Sequence, residues 1–76
     1  MGNFVKLING NKPVLADFYA SWCGPCKTLE PIIKEVKIKL ENKVIVVKID
    51  VDKNQVAASR FGIKGVPTLI LFSEGK

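Results

Sequence analysis

The sequence is poorest in the residues that usually carry hydrolytic and metal chemistry: its 76 residues include no histidine, two cysteines and one arginine. Without histidine, the chain has no Ser–His–Asp triad, no Cys–His protease pair and no histidine-containing metal site. Two cysteines are also fewer than a secreted mini-protein stapled by disulfides normally carries. Because they stand close together, Cys23 and Cys26 indicate a functional pair.

Long apolar runs are absent as well. No stretch approaches the ~18–20 apolar residues that a membrane-spanning helix needs. The first residues show no basic segment followed by an apolar one, so no signal peptide is predicted. With 47% apolar residues and a mean hydropathy of +0.19, the chain is predicted to form one small domain over residues 1–76, with no membrane partner.

The net charge of +5 raises the question of a nucleic-acid partner. The lysines are spread along the chain, however, and Arg60 is the single arginine. Glu30 with Lys34, and Glu35 with Lys39, have the i,i+4 spacing of ion pairs on a solvated helix face. No aromatic residues interleave the basic ones, so we predict no nucleic-acid partner.

Apolar periodicity predicts alternating helices and strands. In chain order these are a short helix Phe4–Ile8 capped by Asn3, strand Val14–Tyr19, a helix from Pro25 to about Leu40, strand Val44–Asp50, a short helix Gln55–Phe61 and strand Thr68–Phe72. The first strand is apolar at nearly every position, as expected for a strand buried on both faces. Strand–helix–strand crossovers give parallel pairs, so this order predicts an α/β architecture.

The Cys-Gly-Pro-Cys segment has the spacing that thiol–disulfide exchange needs. Cys23 precedes the predicted helix, where unpaired backbone N–H groups and the helix dipole favour a thiolate. Pro25 is predicted at the first helical position, and Gly24 allows close backbone approach. Cys26 lies one turn deeper and is expected to be the less exposed thiol. We therefore predict Cys23 as the nucleophile and Cys26 as the resolving cysteine.

Two other interpretations of the cysteine pair remain open. A tetrahedral zinc site needs four ligands, so the pair could bind metal only by joining a second chain. A purely structural disulfide at this spacing closes a very short loop and so adds little stability. We predict no metal site.

Asp17 is the only charge in the strand that otherwise resembles a buried one. Burial raises the pKa of a carboxyl group, and such a group beside Cys26 could exchange a proton with that thiol. The alternatives are a structural hydrogen bond or exposure to water at the strand end. Trp22 fits a docking residue and a core residue equally, and Pro67 by itself fits an ordinary turn proline.

Together these segments resemble the thioredoxin family. Residues 17–27 read Asp-Phe-Tyr-Ala-Ser-Trp-Cys-Gly-Pro-Cys-Lys and are followed by Pro31. The later matches are Lys-Ile-Asp-Val-Asp at 48–52, Phe-Gly-Ile at 61–63 and Gly-Val-Pro-Thr-Leu at 65–69. The resemblance implies a thioredoxin-like fold with a central mixed sheet flanked by helices.

The resemblance also implies roles for single residues. Pro67 is expected to follow a cis peptide bond and to face the cysteines, and Asp17 to lie behind the disulfide with Lys48 close to it and modulating it. The implied substrate-binding residues are Trp22, Gly24, Pro25, Val66 and Pro67. Among these, Val66 is expected to offer its backbone to an extended substrate peptide.

The implied activity is that of a general protein disulfide reductase working through a reversible Cys23–Cys26 disulfide. No cofactor is expected on the chain itself; electrons would come from an NADPH-dependent thioredoxin reductase, and disulfide-containing proteins would be the substrates. The reducing-type motif and the lack of a signal suggest a cytoplasmic location. An oxidase or isomerase running in the opposite direction, and a binding module without turnover, are the alternatives.

Both ends are short compared with the family pattern. We expect a truncated thioredoxin-like domain that lacks the C-terminal strand and helix. The strand Thr68–Phe72 would then be an exposed edge, open to self-association. Half of a reconstituted complex, and an inactive or poorly folded chain, are the other possibilities.

Overall fold

The protein is described by a computed structural model that covers residues 6–41 and 43–73. Its elements are β1 (Val14–Tyr19), α1 (Gly24–Leu40), β2 (Ile45–Asp50), α2 (Gln55–Arg60) and β3 (Thr68–Phe72). These bounds agree with the predicted ones to within one residue at each end. Residues 6–8 are helical, as predicted, whereas the predicted start of that helix at residues 3–5 lies outside the described residues.

The three strands form one mixed sheet in the order β2-β1-β3. β1 is parallel to β2 and antiparallel to β3, which confirms the predicted mixed α/β architecture. The central place of β1 follows from its composition, because a strand with neighbours on both edges and cover on both faces is apolar almost throughout. In the register, Asp17 of β1 lies opposite Lys48 of β2 and Leu69 of β3.

The main core lies on one face of this sheet. Its buried members are Ile8, Val14, Ala16, Phe18, Ile49 and Phe72. Phe61, just after α2, packs edge-on against Phe72 with ring centroids 5.2 Å apart. Because side chains alternate along a strand, Asp17 points to the opposite face from Ala16 and Phe18. The carboxylate therefore faces the site rather than the main core.

The last strand leaves apolar side chains in contact with solvent. In the part of the chain that the structure describes, β3 pairs with β1 alone. Leu69 and Leu71 are 43% and 59% exposed. The predicted edge strand with exposed apolar surface is thus present within the described residues.

Candidate redox site

The two cysteines form a disulfide at the start of α1, with their Cα atoms 5.3 Å apart. Cys23 is the N-cap of the helix, and its Sγ accepts a hydrogen bond from the backbone N–H of Cys26 at 3.1 Å. The sulfur of Cys23 thus occupies the place where an oxygen usually satisfies a free N–H at a helix start. An anionic sulfur there is stabilised by this N–H and by the helix dipole.

The helix start differs from the prediction in one detail. The helix begins at Gly24, so Pro25 is its second residue and not its first. A backbone N–H in the first turn of a helix has no intrahelical acceptor. A proline at the second position therefore costs no helix hydrogen bond and is compatible with the helix. A Cβ added at Gly24 would meet nothing within 4 Å, so the chain's own packing does not require glycine and the space is open to a substrate.

The expectation that Cys26 is the less exposed cysteine is wrong. Cys23 is 3% exposed and Cys26 is 8% exposed, so both are buried. The backbone N–H of Cys23 donates to the carbonyl of Ala20 at 3.1 Å, which folds the loop after β1 back onto the strand. Both cysteines then pack with Ala20, Tyr19 and Val66. Burial therefore does not make Cys23 the more accessible sulfur; what distinguishes it is the hydrogen bond that it accepts from the Cys26 N–H.

Asp17 is buried behind this site, at 4% exposure, and its Oδ1 has no hydrogen-bond partner among the described residues. Burial raises the pKa of the Asp17 carboxyl above its ordinary value; Lys48 lowers this pKa and Glu30 raises it further. The alternative in which Asp17 points to water at a strand end is thereby excluded. A raised pKa makes the carboxylate a stronger proton acceptor, as exchange of a proton with a neighbouring thiol requires.

A cavity of about 240 Å³ connects Asp17 with Cys26. Its wall is made of Asp17, Tyr19, Ala20, Ser21, Cys26, Lys27, Glu30 and Lys48. This is room for several water molecules, and the polar side chains in the wall could hold them. Cys26 and the buried carboxyl of Asp17 thus share one water-accessible space.

Lys48 lies beside Asp17 but forms its ion pair elsewhere. Its Nζ is 3.4 Å from Oε1 of Glu30 and 4.7 Å from the ring centroid of Tyr19. No ion pair within residues 6–41 and 43–73 includes Asp17. The structure brings Lys48 close to Asp17 in register, as the resemblance implied, and adds Glu30 as its ionic partner.

The predicted docking residues surround the disulfide. The Val66–Pro67 peptide bond is cis, as the resemblance implied, and Val66 packs against the cysteines. Pro67 and Pro25 line one shallow apolar groove together with Leu29 and Ile32. Trp22 is 69% exposed, so its side chain belongs to the surface and not to the core.

The residue that sequence reasoning missed on this surface is Asp52. Its Oδ2 accepts a hydrogen bond from the indole N–H of Trp22 at 2.8 Å, across 30 positions of sequence. Asp50 shapes the same loop, because its Oδ1 accepts the backbone N–H of Asp52 at 2.9 Å. The available signal was the Asp-Val-Asp run at the carboxyl end of β2, which parallel pairing brings beside the end of β1.

Comparison with known proteins agrees with this geometry. The family model named Thioredoxin matches residues 1–76. The chain belongs to the thioredoxin family. It is 49% identical to a thioredoxin of Alicyclobacillus acidocaldarius subsp. acidocaldarius, over 97% of this chain and 70% of that protein. It is 44% identical to a bifunctional thioredoxin reductase/thioredoxin of Mycobacterium leprae (strain TN), over 96% of this chain and 16% of that protein.

A solved structure gives the same result. A mutant thioredoxin from Halobacterium salinarum NRC-1 superposes with a TM-score of 0.88 at 46% identity, covering 100% of this chain and 66% of that one. The chain thus spans about two thirds of the length of that thioredoxin. With the Cys23–Cys26 disulfide at the family's redox position, it is a thiol–disulfide oxidoreductase.

Two further observations concern other classes of function. None of the helices in the described residues is long and apolar enough to cross a membrane. Within those same residues, no group of three or more acidic, cysteine or histidine side chains is placed to hold a metal ion.

Proposed function

We propose that this chain is a general protein disulfide reductase that cycles between the Cys23–Cys26 dithiol and its disulfide. The observation that carries the proposal is the position of the Cys23 sulfur at the start of α1, where it accepts the N–H of Cys26. This environment favours the thiolate, which is the attacking species in thiol–disulfide exchange.

In the proposed cycle, the Cys23 thiolate attacks one sulfur of a substrate disulfide. A Cys23–substrate disulfide forms, and the other substrate sulfur leaves as a thiolate. Cys26 then loses its proton and attacks Cys23 Sγ, which releases the second substrate thiolate and closes the Cys23–Cys26 disulfide. Two electrons pass from the chain to the substrate disulfide, and the two substrate thiolates take up protons.

Asp17 is the proposed proton shuttle for Cys26. Its burial, its unpartnered Oδ1 and the cavity that it shares with Cys26 support this role. Water in the cavity provides a path for the proton from the Cys26 thiol to the carboxylate. Lys48 is proposed to modulate Asp17, because its positive charge lowers the pKa of that carboxyl.

The proposed substrate surface consists of Trp22, Gly24, Pro25, Val66 and Pro67. Val66 would offer its backbone groups to an extended peptide, while the exposed indole of Trp22 provides apolar contact on the other side of the disulfide. The open space at Gly24 supports close approach of a substrate backbone.

The proposed electron donor is an NADPH-dependent thioredoxin reductase, and the proposed acceptors are disulfide-containing proteins. The Mycobacterium leprae relative, whose name joins a thioredoxin reductase to a thioredoxin, supports this pairing. The chain itself is proposed to bind no cofactor. A role in electron transport and a cytoplasmic location are two further proposals, and both rest on the motif.

Self-association through the β3 edge is also proposed. Leu69 and Leu71 are exposed on this strand, and a second copy of the strand could pair with the edge that has no partner within the described residues. Sedimentation equilibrium over a range of protein concentrations measures the association state. A monomer at every concentration would exclude self-association.

A redox titration tests the function. The single tryptophan, Trp22, reports on the site while the disulfide equilibrates with dithiol buffers of defined potential. One reversible two-electron transition at a strongly negative potential is expected. A markedly less negative transition would favour an oxidase or isomerase, and a Cys23→Ser variant that keeps all function in cells would favour a binding module.

A further inference from the structure

Glu30 of α1 links the helix to the sheet at the edge of the site. Its Oε1 lies 3.4 Å from Lys48 Nζ in β2 and 3.8 Å from Lys34 Nζ in its own helix. The contact to Lys48 is the shorter of the two and spans two elements. Glu30 is therefore more than a member of an i,i+4 surface pair.

The position of Glu30 relative to Asp17 is defined by two cavities. One is the cavity shared with Cys26; the other, also about 240 Å³, lies further along α1. Asp17, Glu30 and Lys48 line both of them. These three side chains therefore form the boundary between the two cavities, with Asp17 buried and the other two 42–43% exposed at the rim.

Lys48 has two acidic groups within its range. Parallel pairing places its backbone directly beside that of Asp17, since adjacent strands lie about 4.8 Å apart. The ammonium nevertheless lies on the Glu30 carboxylate and over the Tyr19 ring. Asp17 Oδ1, in contrast, has no donor among the described residues.

We propose that Glu30 is a positioning residue, whose carboxylate holds the Lys48 ammonium at the rim of the cavities and away from the Asp17 carboxyl. Asp17 Oδ1 thereby stays without a cationic partner, so that the carboxylate form is a stronger proton acceptor for Cys26. The mechanistic part of this inference rests on the proposed shuttle role of Asp17, whereas the placement of Lys48 can be measured separately.

The electrostatics around Asp17 agree with this arrangement. The titratable and charged groups that line the two cavities with Asp17 are Tyr19 from β1, Lys48 from β2, and Lys27, Glu30, Lys34 and Lys37 from α1. Cys26 also lines one of them but does not titrate while it is in the disulfide. β3 contributes the uncharged Leu69 opposite Asp17. After burial, Lys48 and Glu30 are the groups that shift the pKa of Asp17, and they do so in opposite directions.

Removing the charge of Glu30 has two effects of the same sign. It takes a negative charge away from Asp17, and it frees the Lys48 ammonium to approach Oδ1. Both effects favour the ionised carboxyl. In Glu30→Gln, the titration midpoint of Asp17 is therefore expected to move to lower pH.

The test is ¹³C NMR titration of the Asp17 carboxyl in the disulfide form. Glu30→Gln is compared with Glu35→Gln, which removes the matching i,i+4 pair with Lys39 on the same helix. A downward shift in Glu30→Gln that is clearly larger than in Glu35→Gln is expected. Equal midpoints in the two variants would overturn the proposal.

A double-mutant cycle separates positioning from direct charge. In a Lys48→Met background, Glu30→Gln should shift the Asp17 midpoint much less than in the parent chain, because no ammonium remains to be released. An equal shift in both backgrounds would show that Glu30 acts on Asp17 directly, and would overturn the positioning role.

The proposed shuttle role of Asp17 and the proposed placement of Lys48 can be tested independently of each other. If Asp17→Asn resolves mixed disulfides with an unchanged rate and pH profile, the shuttle role is lost, yet the NMR titrations still decide the placement of Lys48. If the shuttle role holds, the pH profile of mixed-disulfide resolution in Glu30→Gln should move to lower pH together with the Asp17 midpoint. A profile that stays in place while the midpoint moves would overturn the link between Glu30 and the reaction.

Discussion

The two faces of strand β1 differ sharply although their residues alternate along one segment. On one face, Val14, Ala16 and Phe18 are fully buried in the apolar core. On the other, Asp17 is almost as buried, yet it adjoins two cavities with charged side chains in their walls, and an ion pair. The first arrangement releases free energy by removing apolar surface from water, whereas the second retains a carboxyl whose charged form is poorly solvated.

This comparison shows how a small domain separates stability from chemistry. A change on the core face should alter the free energy of unfolding and affect catalysis only through it. A change on the face of β1 that carries Asp17 should alter the rates and pH profiles of disulfide exchange. The domain should stay folded or become more stable. The following predictions test this separation, from the largest expected effect to the smallest.

Cys23→Ser should abolish disulfide reduction, because a hydroxyl at this position cannot form the mixed disulfide. The fold should persist, since serine keeps the size of the side chain and can still cap α1. The measurement is turnover of a protein disulfide with dithiothreitol as reductant, alongside far-UV circular dichroism. Cys26→Ser is the matched variant and should accumulate a covalent substrate adduct detectable by mass spectrometry; an adduct on Cys26 in the Cys23→Ser chain instead would reverse the two assignments.

Phe18→Ala should destabilise the domain by about 3–5 kcal/mol, because it leaves a cavity in the core next to Phe61. This is a large share of the roughly 5–15 kcal/mol that holds a typical domain together. Urea unfolding followed by circular dichroism measures the loss. Val56→Ala in α2 is the control, because Val56 is 70% exposed and its truncation should change the free energy by less than about 0.5 kcal/mol. A similar loss in both variants would contradict the assignment of the core.

These same residues show how much of the fold and of the site could be predicted from the sequence. The apolar runs predicted all three strands, because burial of apolar residues dominates the folding of a small domain. Asp17 was predicted as a site residue because it is the only charged residue in the apolar run that forms β1. The contact between Glu30 and Lys48 was not predicted, because the spacing of Glu30 to Lys34 suggested a local pair on one helix. The Trp22–Asp52 bond was missed for the same reason: contacts between distant segments leave no periodic signal.

Asp17→Asn should separate stability from rate on the site face. Resolution of a mixed disulfide by Cys26 should slow by at least about 10²-fold, the lower range for loss of a general acid–base group. Stopped-flow fluorescence of a preformed adduct measures this rate as a function of pH. Ser21→Ala, at the wall of the same cavity, is the control and should leave the rate unchanged.

Asp17→Asn should also change how the free energy of unfolding depends on pH. Because the folded-state pKa of Asp17 is raised, the native state holds its proton more tightly than the unfolded chain. The parent domain should therefore lose stability as pH rises from the unfolded-state pKa through the folded-state pKa. Asp17→Asn lacks this loss, so its free energy of unfolding should exceed that of the parent above that range and approach it in acid. A difference between the two chains that does not change with pH would contradict the burial effect.

The smallest effect is expected at Asp52, which belongs to neither face of β1 but holds the indole of Trp22 from the loop after β2. Asp52→Ala removes the acceptor, and because this hydrogen bond is solvent-exposed the free energy of unfolding should fall by no more than about 1 kcal/mol. The orientation of Trp22 should change more than the stability, since the exposed ring loses its polar anchor. We expect an altered Trp22 emission spectrum and a raised KM for protein disulfides, with little change in kcat. Asp52→Asn keeps an oxygen acceptor and should restore most of the parent behaviour; if it resembles Asp52→Ala instead, the negative charge of Asp52 and not its hydrogen bond controls the docking surface.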